Sequence, residues 1–105
     1  MLEDSPSDLL KQGINAVKAK QMREAQVLLR QVIEREPENA IAWLWLSATL
    51  PDPLKREACL ERAQRLAPDS DRIRRGLLVA RQRATEHLLA QGIAAAQSGD
   101  RVGAR

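Results

Sequence analysis

The chain has 105 residues, 44% of them hydrophobic and 30% charged, with a net charge of +3 and only two aromatic residues, Trp43 and Trp45. That length suits one small domain and leaves no room for two, and a composition rich in Leu, Ala, Arg and Glu points to helices, not strands. One cysteine, Cys59, and one histidine, His87, exclude an internal disulfide and a multi-residue zinc site within one copy; no apolar run approaches the roughly 20 residues of a membrane helix, and the acidic start MLEDSPS is unlike a signal peptide.

Pro and Gly cut the sequence into helix-length pieces, each with an apolar stripe at helical spacing. Ser5, Pro6 and Asp8 form a start signal for a first helix over 6–20, whose residues Leu9, Leu10, Gly13, Ile14, Ala16 and Val17 share one broad face. A turn at Lys20 and Gln21 leads to a second helix over 22–36, with Ala25, Leu28, Leu29, Val32 and Ile33 inward and Pro37 as its stop. Asn39 caps a third helix carrying AIAWLWLSATL, and Pro51-Asp52-Pro53 ends it while offering Asp52 as cap and Pro53 as first residue of a fourth, which runs to about Ala67. Ser70 or Asp71 caps the next helix. Ile73, Leu77, Ala80, Ala84 and Leu88 continue one stripe through 71–97, which favours a continuous helix over a break at Thr85. Ser98-Gly99-Asp100 reads as a turn.

The end of the chain repeats its beginning. Residues 8–26 and 87–105 align without a gap and share seven identities in nineteen positions, among them Leu9 with Leu88, Leu10 with Leu89, Gly13 with Gly92, Ile14 with Ile93 and Ala16 with Ala95. Self-similarity at this scale is the mark of repeat architectures, whose units cover one another's apolar faces. The chain resembles the tetratricopeptide repeat, a helix-turn-helix unit of 34 residues with the signature W-x2-L-G-x2-Y, then A-x3-F, then P. Leu9, Gly13, Ala16, Ala25, Leu29, Val32 and Pro37 stand at its places in a first unit, 7–38; Trp43, Leu46, Ser47, Leu50, Leu60, Ala63 and Pro68 do so in a second, 39–69; a half unit and the start of another occupy 70–105. The second unit departs from the pattern. Pro37 to Pro68 is 31 residues, which places a shortened turn at 49–53, and Arg56 stands where a small alanine is usual.

The resemblance implies an all-α fold of stacked antiparallel hairpins with a long C-terminal helix. It also implies a concave groove, lined by the first helix of each unit, that binds a peptide from another protein. In this chain the groove residues would be Leu10, Ile14 and Val17, then Ile41, Leu44, Trp45 and Ala48, then Arg72, Arg75 and Val79. Family members that grip a terminal carboxylate use Lys and Asn at the places held here by Leu10 and Ile14, so that specificity is not expected, although Lys11 and Asn15 lie one residue along. Residues two apart on a helix face roughly opposite ways, so one tryptophan should be core and the other exposed. The family pattern makes Trp43 the core residue and leaves Trp45 at the groove, as a binding anchor or simply packed against the last helix.

Two further surfaces follow from the residues themselves. Residues 70–105 carry seven arginines and three acids, +4, against −1 for the rest of the chain. Such a segment suits nucleic acid, but the interleaved aromatics or clustered lysines that would support binding are missing, and a solvated helix face is the plainer account. The C-terminal copy of a first helix lacks its covering helix, so Leu88, Leu89, Ile93 and Ala96 call for cover from a second chain or from further repeats; at roughly 1.5–3 kcal/mol per large aliphatic side chain buried, self-association is expected. Paired acids such as Glu34, Glu36 and Glu38 have no His, Ser or Gly-rich loop beside them. The sequence therefore reads as a cytoplasmic, non-catalytic interaction or scaffolding module with no cofactor and no metal, taking a protein or peptide partner and forming a homo-oligomer, with nucleic-acid binding through 70–105 as the alternative.

Overall fold

A computed structural model describes residues 4–97, with side chains described through Gly92. The described residues hold five helices and no strand: α1 Pro6–Lys18, α2 Met22–Arg35, α3 Ala40–Ser47, α4 Pro53–Leu66 and α5 Asp71–Gln97. Each helix packs chiefly on the next, with a smaller contact between α1 and α3. Turns of three to five residues leave each of these neighbours no course but to fold back on its predecessor.

The expected caps are in place. The Ser5 hydroxyl accepts from the Asp8 N–H at 3.1 Å, Asn39 Oδ1 from Ala42 at 3.1 Å, Asp52 Oδ1 from Leu54 at 2.9 Å and Ser70 Oγ from Ile73 at 3.3 Å. Each satisfies a donor that the first helical turn leaves without an internal partner. α1 stops at Lys18, two residues before the expected end, because Lys20 takes the left-handed conformation (φ 63°) and the Lys20 and Gln21 N–H groups turn back to the Val17 and Ala16 carbonyls at 2.9 and 2.8 Å. This double closure is usually made by glycine. α2 and α4 each end one residue early, at Arg35 and Leu66, beside Pro37 and Pro68.

α3 is three residues shorter than the run AIAWLWLSATL predicts. Pro51 disfavours a helical Leu50, and the chain tightens instead: the N–H groups of Ala48, Thr49 and Leu50 reach carbonyls three residues back, and the Ser47 and Thr49 hydroxyls bond the Leu44 and Leu46 carbonyls. Arg56, the residue in an alanine's place, donates its Nε to the Leu50 carbonyl and closes the turn.

The core follows the stripes. Leu9, Gly13 and Ala16 of α1 meet Ala25, Leu29 and Val32 of α2, with Ala42 and Leu46 of α3 closing the group. Gly13 admits Leu29 so closely that a Cβ there would lie 2.8 Å from Leu29 Cδ2. A second cluster joins Leu60 of α4 to Leu77 and Ala80 of α5, and Leu44 reaches it from α3. α5 is continuous through Thr85, as its stripe predicts, and Ile73, Leu77, Ala80 and Ala84 are buried. At 27 residues it is about 40 Å long against about 21 Å for the 14 residues of α4, so its far half outruns its support. Leu88, the last of the stripe, is 53% exposed.

Candidate functional site

The short α3 is apolar on every side, and its packing on both α2 and α4 overturns the expected division between its tryptophans. Both are half-buried, and both pack against the cluster around Leu29. Trp43 donates its indole N–H to the Pro37 carbonyl at 2.9 Å and lies under the Arg62 guanidinium, 5.5 Å from the ring centre. Trp45 lies under Arg72 of α5 at 5.1 Å. A one-sided pattern argument fails here because two neighbours, not one, flank the helix.

Beside Trp45 the α3, α4 and α5 surfaces leave an apolar cleft of about 170 Å³, lined by Leu44, Trp45, Ser47, Ala48, Leu60, Arg72 and Gly76. Its shape has local causes. Because α3 ends at Ser47, exposed Ala48 forms the rim; because residue 76 has no side chain, α5 leaves open space over Leu60 and Leu44, whose methyls are 3.6–4.0 Å from where a Cβ would stand. The Ser47 hydroxyl is committed to the Leu44 carbonyl. Arg72 therefore supplies the polar character of the cleft.

The structure gathers four of the expected groove residues here, Leu44, Trp45, Ala48 and Arg72, and adds Leu60 and Gly76, which the sequence reading missed. A helix-interior glycine away from any turn was the available signal for Gly76. Arg75 and Val79 do not line the cleft: Arg75 is exposed and donates weakly to the Asp71 carbonyl at 3.4 Å, and Val79 is 50% exposed on the same side of α5. Leu10, Ile14 and Val17 are half-buried on α1 and are also outside it, Leu10 and Val17 being packed onto the core around Leu29; Ile41 is exposed.

The arginines of α5 divide into two sets. Arg74 pairs with Asp71 at 3.0 Å, and Arg81 reaches Glu57 and Glu61 of α4, each at 3.7 Å. Arg72, Arg75 and Arg83 have no carboxylate partner among the described residues. At offsets of three and eleven residues they share one side of the helix with Val79, and it is the side that borders the cleft.

Leu88 and Leu89 are exposed, while the side chains of Ile93 and Ala96 and the turn at 98–100 lie outside the described residues. Gly92, the counterpart of Gly13, has no described atom beyond its chain neighbours and its own helix backbone within 4 Å of a would-be Cβ. Cys59 is half-buried against the first cluster, and burial pushes its thiol above the ordinary value, with Arg30 opposing. A larger hollow of about 510 Å³ over residues 35–39 is lined by a single turn, with two acids, and has no second element to hold a ligand. Among the described residues no three His, Cys, Asp or Glu side chains are grouped to hold a metal, and no helix is long and apolar enough to cross a membrane. No family model matches this chain, and neither a curated protein nor a solved structure matches it.

Proposed function

We propose that the chain is a non-catalytic protein-protein interaction module of tetratricopeptide type: α1–α2 and α3–α4 act as two stacked hairpin units, α5 opens a third, and a partner segment docks at the Trp45 cleft. The observation that carries this reading is the cleft, an open apolar recess beside a half-buried indole, the kind of place where binding energy concentrates. Affinity capture with the intact chain and its Trp45→Ala variant tests it. Proteins retained by the first and lost by the second are expected; identical captures would remove the cleft from the account.

Self-association through the far half of α5 belongs to the same proposal. Leu88 and Leu89 are 53% and 61% exposed on a stretch, 85–97, with one acid and no Lys or Arg. Sedimentation should show mass rising with concentration, and Leu88→Glu with Leu89→Glu should return the chain to monomer without lowering the melting temperature measured at dilutions where the parent is also monomeric. A monomer at every concentration would sink the idea. Nucleic-acid binding is the weaker alternative, since Arg74 and Arg81 already face carboxylates and each tryptophan ring lies under an arginine instead of open to a base.

A further inference from the structure

We infer that the Trp45 cleft and the arginine row beside it recognise an acidic peptide segment that inserts one apolar side chain. The inference rests on reading the cleft as a docking site and adds the chemistry of what docks. A recess of about 170 Å³ suits one side chain, since an apolar cavity of about 150 Å³ takes a benzene-sized group. Its walls, Leu44, Leu60, Ala48 and the Trp45 ring, offer that side chain no hydrogen bond, and the Ser47 hydroxyl is spent within its own helix. The anchor is therefore apolar.

The rest of the segment is set by charge. Arg72 has its guanidinium over Trp45, 5.1 Å from the ring centre, which holds the group beside the cleft without using its N–H donors on a carboxylate. Arg75 and Arg83 continue the row, which ends near Glu86, itself bonded by Gln82 at 3.4 Å. The rise from Arg72 to Arg83 is roughly 16 Å, a span that about five extended residues cover. Asp or Glu within about five residues of the anchor would find charge-assisted partners along it. Arg81, turned toward α4, is matched by Glu57 and Glu61, whereas Arg72 at the cleft and Arg75 and Arg83 on the side that borders it have no carboxylate partner among the described residues. Complementarity at this edge is supplied by a ligand.

A displayed library of random peptides, about seven residues long, selected on the intact protein tests this. Enriched peptides should carry one apolar residue and two or more acids, and Arg72→Gln should lower their retention about tenfold, the scale of one charge-assisted hydrogen bond. Gly76→Leu should abolish retention: its Cβ meets Leu60 at an ordinary 3.6 Å, and the remaining side chain fills the cleft while circular dichroism reports an intact fold. Neutral or basic enriched peptides, retained by Arg72→Gln and lost by Gly76→Leu, would overturn the acidic chemistry and leave the docking site standing. No enrichment over a bare surface would remove both. A labelled single-stranded oligonucleotide that binds more tightly than the selected peptides, and loses binding on Arg72→Gln, would reassign the row to phosphate and overturn the inference.

Discussion

Replacing Gly13 by Ala sets two effects of known sign against each other. A helix-interior Gly→Ala change ordinarily stabilises by about 1 kcal/mol through the backbone freedom removed from the unfolded chain. At Gly13 the new methyl would stand 2.8 Å from Cδ2 and 2.9 Å from Cγ of Leu29, and Leu29 is fully buried. Cγ is the branch point of that side chain, so relief requires a new rotamer inside a packed core or a retreat of α2, at a cost of about 2–3 kcal/mol. The net expectation is a loss of about 1–2 kcal/mol. Gly76→Ala is the internal control, since its Cβ meets Leu60 at 3.6 and 3.9 Å, ordinary contact distances, and should gain about 0.5–1 kcal/mol. At about 4–8 °C per kcal/mol for a domain of this size, the two variants should melt about 10 °C apart, on opposite sides of the parent. Thermal melts by circular dichroism, with urea titrations as a second measure, read this directly. If Gly13→Ala melts at or above the parent, the close approach of Leu29 to α1 is wrong, and the helix crossing with it.

Two further outcomes are open to measurement. Lys20→Gly should stabilise by about 1 kcal/mol, because a left-handed lysine carries a steric cost that glycine lacks; an unchanged or lower melting temperature would show that the turn is not held as described. Cys59 should react slowly with iodoacetamide in the native state at neutral pH, and its raised thiol makes a stability contribution that is complete below the ordinary thiol range and is lost as pH climbs through the raised native value. Urea midpoints should therefore fall on the alkaline side, and a Cys59→Ser variant should show a smaller fall.

The helices were legible because their boundaries are local chemistry. Ser5, Asn39, Asp52 and Ser70 cap where side chains of those types cap, and Pro37, Pro51 and Pro68 stop where a missing N–H must. The continuity of α5 was equally visible in the spacing of Ile73, Leu77, Ala80 and Ala84. Tertiary consequences were not. Assigning Trp43 to the core and Trp45 outward presumes a helix with one buried side, whereas α3 has neighbours on two. Leu60 and Gly76 enter the cleft because α4 and α5 converge there, a meeting that no single stripe encodes. Arg56 stood out as a misfit in sequence, but its purpose depends on a carbonyl six positions earlier.

That clasp reaches beyond the loop it fastens. The recess beside Trp45 is bounded by Ala48, a residue that belongs to the turn and not to α3, and the turn is held by the Arg56 guanidinium from the opening of α4 together with the Gln26 amide of α2, which donates to the Thr49 carbonyl at 3.5 Å. On the proposed reading of the recess as a docking place, tethers remote from its walls would set the position of its edge. Sequence drift at Arg56 would then reshape that edge while every wall residue stayed the same.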